Sequence, residues 1–339
     1  MTNLEITNAY VGDTQVEKIY LGTDVVWPTT PVYSAMPLTF EILSAGTVVW
    51  KNNGDAGNKT IQYKTNDGEW TDITSSPQGS VINVEAGDLV QFRGDNKTYG
   101  YGYNLNTFSA STCFFTAKGN IMSLIDSSGF STATTLESGY TFYHLFWGCG
   151  IRLVDASNLV LPATILSPSC YEGMFAICDG IKTPPKLPAT TLADRCYAFM
   201  FANCTFTTPP ELPATVMANS CYFSMFSGNQ DLKETPEFPA TQLASACYQG
   251  MFNVCRNLET VHTLPAITLS PNAYAEMFKS CRKINQITCL ATDISASNCT
   301  TNWLYDVSPT GTFVKHPNAT WLTGNNGIPT GWTVEDANI

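Results

Sequence analysis

The sequence predicts an α+β multidomain chain: an N-terminal β ribbon, an all-β sandwich, then a repeat solenoid with a C-terminal β cap. Three observations carry this. The tetrads at Leu161, Leu187, Leu212, Phe238 and Leu264, mostly Leu-Pro-Ala-Thr, recur at steps of 26, 25, 26 and 26 residues, and a fixed period of this size marks stacked repeats. Between about Ser34 and Gly129, short β-prone runs alternate with turn signals. Near the N-terminus, Ala9-Tyr10-Val11-Gly12-Asp13-Thr14 is echoed by Ile19-Tyr20-Leu21-Gly22-Thr23-Asp24. The organisation read from these patterns is 1–33, an anchoring segment; 34–129, the sandwich; 130–285, the repeats; 286–339, the cap.

Residues 1–33 read as two short hairpin-like pairs ending at Trp27-Pro28, too few to bury a stable core alone. They form either an edge ribbon or a docking segment that folds on a partner. Residues 34–129 contain strand-like Leu38–Ile42, Thr47–Trp50, Ile61–Tyr63, Trp70–Ile73, Ser80–Val84 and Leu89–Arg93. Asn66-Asp67-Gly68 and Glu85-Ala86-Gly87-Asp88 mark turns between them. Strands at this spacing suggest a sandwich. The tract Tyr99-Gly100-Tyr101-Gly102-Tyr103 makes Tyr99, Tyr101 and Tyr103 candidates for stacking on a ligand; the alternative is a solvated loop.

Each repeat carries a tyrosine and a Met-Phe pair, as in Tyr197 with Met200-Phe201. Leu192, Cys196, Met200 and Cys204 lie four apart, which predicts one face of a helix. Pro188 precedes it and Thr190 or Thr191 can cap it. The Pro-broken tract Thr205–Leu212 predicts an extended piece. Stacking would bury the Met-Phe pairs as core. Leu145-Phe146-Trp147-Gly148-Cys149 is a degenerate first unit, and the aromatic pieces after Cys281 would cover the last one.

Nine of the twelve cysteines occupy two repeat slots. Disulfides within a unit would pair slots eight apart, but Cys221 faces Asn229 and Cys281 faces Ala273. The thiols are therefore expected to be small buried spacers rather than bridges. No CxxC occurs and His144, His262 and His316 are scattered, so no metal site and no cofactor are expected.

Charged residues make up 13% of the chain and the net charge is −11 without a Lys/Arg cluster. Nucleic acid as a partner is therefore not expected. No apolar run reaches the roughly 18 residues of a membrane span. Read as a true start, MTNLEITNAYVGD lacks a basic and then apolar leader, so export by a signal peptide is not expected. No catalytic constellation stands out. The nearest acidic pair in the repeats is Asp231 and Glu234, and no GxSxG elbow is present.

LPATTLADRCYAFMFANC and its copies, over roughly 139–285, resemble the BspA-like leucine-rich-repeat surface proteins. The stretch SPTGTFVKHPNATWLTGNNGIPTGWTVEDA is similar to the end of such arrays. The N-terminal YVGDTQVEKIYLGTDVVWP resembles a start seen in virion and fibre proteins of crAss-like phages. The resemblance implies a non-enzymatic virion structural protein, a head fibre or a capsid or tail decoration, adhering to a host surface protein or glycan from the virion surface. It implies anchoring to other virion proteins through Tyr10, Val11, Gly12, Ile19, Tyr20, Leu21, Gly22, Trp27 and Pro28. Such fibres are often trimeric, although no coiled coil is present here. The alternatives are a bacterial cell-surface adhesin and a polysaccharide depolymerase.

Overall fold

A computed structural model describes residues 33–53, 57–102, 104–110 and 112–339, together with the backbone of strand residues 10–11, 14–15, 19–21 and 24–27. Those N-terminal residues form two antiparallel pairs. β1 (Tyr10–Val11) pairs with β2 (Thr14–Gln15), and β3 (Ile19–Leu21) pairs with β4 (Asp24–Trp27).

Residues 38–120 make strands whose alternating apolar residues meet in one core. In chain order these are β5 (Leu38–Ile42), β6 (Gly46–Asn52), β7 (Thr60–Thr65), β8 (Thr71–Thr74), β9 (Ser80–Val84), β10 (Leu89–Arg93), β11 (Gly100–Tyr101), β12 (Asn104–Ala110) and β13 (Phe115–Asn120). One sheet runs β13-β5-β10-β7-β8 and is antiparallel throughout; the other runs β11-β12-β6-β9. Phe40 and Phe92 of the first sheet lie 5.0 and 4.8 Å from Phe108 of the second, ring centre to ring centre. Trp50 closes on Phe108 at 4.7 Å. Multiple β-sheets around a common aromatic core are consistent with the expected sandwich.

The α+β assignment and its helix-plus-strand solenoid are corrected. The structure is nearly all β, with 3% helix and 25% strand and no solenoid closure. Among the described residues the helical segments are three single 3-10 turns, at Tyr33–Ala35, Ile121–Leu124 and Gly150–Arg152. The stretch expected to be a helix is a run of four-residue turns. Arg195, Phe199 and Asn203 all have φ near +55°, a left-handed conformation no α-helix contains.

The hydrogen bonds explain why this form wins. The N–H groups of Cys196, Ala198, Met200, Ala202 and Cys204 donate to the carbonyl three residues back, at 3.0–3.3 Å. Those of the intervening residues Arg195, Tyr197, Phe199, Phe201 and Asn203 donate to Asn219, Cys221, Phe223, Met225 and Ser227 of the next unit, at 2.8–3.0 Å. A helix would spend all of these donors on itself. Here half of them tie one unit to the next, so the backbone itself stacks the repeats. The four-residue spacing of apolar side chains suits a 3.6-residue helix and a four-residue turn alike, which is why the spacing misled.

Two aromatic columns run through the stack, one starting in β12 and the other at the residue before β11. One passes from Phe108 through Phe146, Phe175, Phe201, Phe226, Phe252 and Phe278, with steps of 5.3–5.9 Å. The other passes from Tyr99 through Phe142, Tyr171, Tyr197, Tyr222, Tyr248 and Tyr274 to Trp303 and Trp321. A backbone seam runs beside them. β13 pairs in parallel with β14 (Leu153–Asp155) and β15 (Leu159–Val160), so the first sheet continues into the repeat region. At the far end β16 (Gln286–Cys289), β17 (Thr312–Lys315) and β18 (Thr333–Asp336) form a parallel sheet.

All twelve cysteines are free and buried. One slot has a definite job. Cys149, Cys178, Cys204, Cys255 and Cys281 each donate S–H to the phenylalanine carbonyl of the preceding layer, at 3.0–3.3 Å. In the unit without this cysteine, the Asn229 Nδ2 donates to the Phe201 carbonyl at 3.2 Å. The slot therefore selects a donor, and Asn replaces Cys because it keeps one. Burial pushes the Cys204 thiol up to about 12, so it stays protonated and able to donate. The Asn229 Oδ1 is buried without a partner. Asn229→Cys is expected to leave stability unchanged or raise it by about 1 kcal/mol, whereas Asn229→Leu orphans the Phe201 carbonyl and costs about 1–3 kcal/mol. Urea unfolding midpoints check both.

Candidate functional site

The junction of the sheets and the first turn layer brings aromatic side chains into a row of ring contacts that reaches the surface at its two ends, with Tyr143 buried between them. β11 supplies Tyr101, which is 71% exposed. Its ring lies 5.3 Å from that of Tyr140, which lies 5.5 Å from Tyr143. Tyr143 meets His144 at 4.2 Å, and His144 meets Trp147 at 6.2 Å. Trp147 is 39% exposed. The backbone sets this display. Tyr140 and His144 have φ of +58° and +53°, one four-residue turn apart.

Two glycines make room for it. A Cβ on Gly100 would sit 2.5 Å from Tyr143, and one on Gly173 would sit 2.4 Å from the His144 Nε2. Beside the strip lies a groove of about 440 Å³ lined by Lys51, Asn53, Pro77, Leu105, Tyr143, His144 and Trp147. Its walls thus mix aromatic faces with an ammonium and an amide, the combination that orients a polar, ring-containing ligand.

The polar flank is Glu172, 5% exposed, which accepts from the Arg195 Nε at 3.1 Å and its terminal nitrogen at 2.5 Å. This bidentate pair holds the Arg195 guanidinium fixed. Glu172 raises the Arg195 pKa further, against the opposing effect of burial. The guanidinium also lies 5.9 Å over the Phe223 ring, and Phe223 meets Phe199 edge-on at 5.1 Å.

His144 is held neutral. Burial pulls its pKa from 6.5 down to about 4, against the Glu172 carboxylate, which favours the charged form. Its Nδ1 is buried without a partner. Between pH 6.5 and 4 the unfolded chain takes a proton on this histidine that the folded chain refuses. Stability is therefore lost as pH falls through that window, by about 3 kcal/mol in all, and this contribution levels off below pH 4. His144→Asn, which tolerates the positive φ, is expected to flatten the dependence. Urea midpoints of the two proteins between pH 7 and 4.5 measure it.

The sequence-predicted residues separate. Tyr101 lies at the exposed end of the strip. Tyr99 is fully buried, with its hydroxyl donating to the Leu124 carbonyl at 2.6 Å, and it opens the tyrosine column instead of facing solvent. Tyr103, Gly12, Gly22 and Pro28 lie outside the described residues. Tyr10, Val11, Ile19, Tyr20, Leu21 and Trp27 are strand residues of β1, β3 and β4. Asp231 is exposed, and Glu234 bridges to Thr260 in the next unit.

Sequence reasoning missed Tyr140, Tyr143, His144 and Trp147. Their signal was present as the aromatic-rich run Tyr140–Trp147, which the repeat pattern absorbed as core. Among the described residues no cluster of three or more His, Cys, Asp or Glu could hold a metal ion. No helix among them is long and apolar enough to cross a membrane. Comparison with known proteins found no matching family model, no matching curated protein and no matching solved structure.

Proposed function

We propose that this chain is a non-enzymatic adhesive protein of a phage virion, a head fibre or capsid or tail decoration, that takes saccharide chains on the Tyr101–Trp147 strip. The observation that carries the adhesive reading is the strip itself: five aromatic side chains in contact, exposed at both ends. Sugar rings present apolar C–H faces and a rim of hydroxyls. The exposed faces of Tyr101 and Trp147 suit the former, and Lys51 and Asn53 suit the latter. The particle setting rests on the likeness of YVGDTQVEKIYLGTDVVWP to virion protein starts. In this reading residues 1–33 anchor the chain to other virion proteins and the remainder faces the host.

The test is a glycan array probed with the full chain, followed by titration calorimetry on the oligosaccharides it selects. Tyr101→Ala with Trp147→Ala is expected to weaken binding about tenfold or more, each ring contributing about 0.5–1.5 kcal/mol. Undiminished binding by the double variant sinks the assignment of the strip. Mass spectrometry of purified virions tests the setting, and absence of the chain from particles sinks that part alone.

A further inference from the structure

The turn stack carries a second surface whose charges are unlike those around it. At other places in the stack, opposite charges on neighbouring layers pair. Glu259 accepts from Lys283 at 2.9 Å with Lys233 at 4.0 Å, and Arg282 meets Asp306 at 3.0 Å. The equivalent positions Glu211 and Glu237, one repeat apart in the Pro-Glu-Leu and Pro-Glu-Phe tracts, put like charges on adjacent layers. Like charges in register across adjacent segments repel. Among the described residues no Lys or Arg pairs with Glu211, Glu234 or Glu237. Glu237 has only the His262 imidazole, whose Nε2 lies 3.4 Å away.

These three carboxylates and His262 line a groove of about 470 Å³ whose remaining wall is largely proline. Pro213 and Pro239, also one repeat apart, are exposed along it. The prolines have a backbone consequence. They lack the N–H that would extend a parallel ladder like that of β16–β18 along this face. The groove is therefore a rigid apolar trough with excess negative charge.

We propose that this groove docks an extended, lysine- or arginine-bearing peptide segment of a partner protein. The aliphatic stems of those side chains would lie on the proline rings while their charged ends meet Glu211, Glu234 and Glu237. Charge complementarity selects this occupant. An acidic segment would add to the repulsion, and a neutral one would leave the like charges facing each other. The site shares no residue with the aromatic strip and stands apart from the saccharide reading.

Fluorescence anisotropy of a labelled octapeptide of alternating Lys and Pro, titrated with the full chain, tests this. Saturable binding is expected, weakened tenfold or more by Glu211→Gln, Glu234→Gln and Glu237→Gln together and severalfold by Glu237→Gln alone. The single variant serves if the triple one does not fold. Binding is also expected to weaken as salt rises, because exposed charges are screened. Equal binding by the variants, equal binding of a Glu-Pro octapeptide, or displacement by spermine as readily as by unlabelled peptide overturns the proposal. So does the absence of saturable binding up to about 1 mM.

Discussion

Phe201→Ala is expected to lower stability by about 3–5 kcal/mol, among the largest effects of single side-chain truncation in the repeats. Phe201 is fully buried. It is sandwiched at 5.5 Å by Phe175 and at 5.9 Å by Phe226, both within 6° of parallel, and Phe206 meets it edge-on at 5.5 Å. Truncation leaves a ring-sized gap in a column that the backbone cannot close. The N–H groups of Phe201 and Asn203 are tied to the next layer at 2.9 and 2.8 Å, which fixes the layer spacing. Phe199→Ala is the control, because its ring is half-buried and meets one other ring, Phe223, edge-on. Urea unfolding should separate the two by more than about 2 kcal/mol. Equal losses would mean that the stacked column is not where the repeat core resides.

Gly119→Ala is expected to cost about 3 kcal/mol or more through the backbone alone. At φ +82°, a Cβ on Gly119 would lie 2.1 Å from the Pro37 carbonyl oxygen and 3.0 Å from that of Met36. Neither atom is free to move. Pro37 bridges to Asn120, and the Met36 carbonyl accepts from the Asn120 N–H at 2.8 Å. Gly119 also donates to the Asn158 carbonyl at 3.1 Å and lies opposite Leu159 of β15. The substitution therefore strikes the seam where the antiparallel sheet passes into the repeats. Gly87→Ala separates conformational strain from this close approach, since Gly87 has φ +94° but open space around it. It is expected to cost about 1 kcal/mol. Thermal unfolding followed by circular dichroism should show a much larger drop for Gly119→Ala.

The repeat period was legible because its fixed slots have fixed physical jobs. Tyr197 and Phe201 stack on their copies, and Cys204 donates to a carbonyl of the preceding layer. Substitutions at such slots keep the job, as Asn229 does, so the pattern survives along the chain. The left-handed positions were also legible in part. Gly and Asn tolerate positive φ, and they occupy such slots at Gly173, Asn203, Gly228, Gly250, Asn272, Asn298 and Asn302. All the left-handed positions of a unit fall four apart, as at Arg195, Phe199 and Asn203, and that rhythm is the signal that separates a turn run from a helix. It is blurred by Ile177, Phe199 and Val254, which hold the same conformation because their N–H groups bond to the next layer.

The candidate site was less legible. Tyr99 and Tyr101 lie two residues apart in one Tyr-Gly tract, and nothing local distinguishes them. One hydroxyl reaches the Leu124 carbonyl and its ring enters the column; the other ring faces solvent beside Tyr140. That difference comes from residues 25 to 43 positions away.

By itself, the sequence determined that the units repeat, which side chains occupy equivalent slots, and that the thiols are not paired within a unit. Those properties follow from composition and spacing. Only the tertiary structure decided that the units are turns and not helices, that the tyrosine and phenylalanine columns begin among the residues of the β-sandwich, and that Tyr101, Tyr140, Tyr143, His144 and Trp147 form one row of rings exposed at its ends. The physical reason is the same in each case. A backbone N–H satisfied by its own turn and one satisfied by the next layer read identically in sequence, and the choice is made when the neighbouring layer offers its carbonyl.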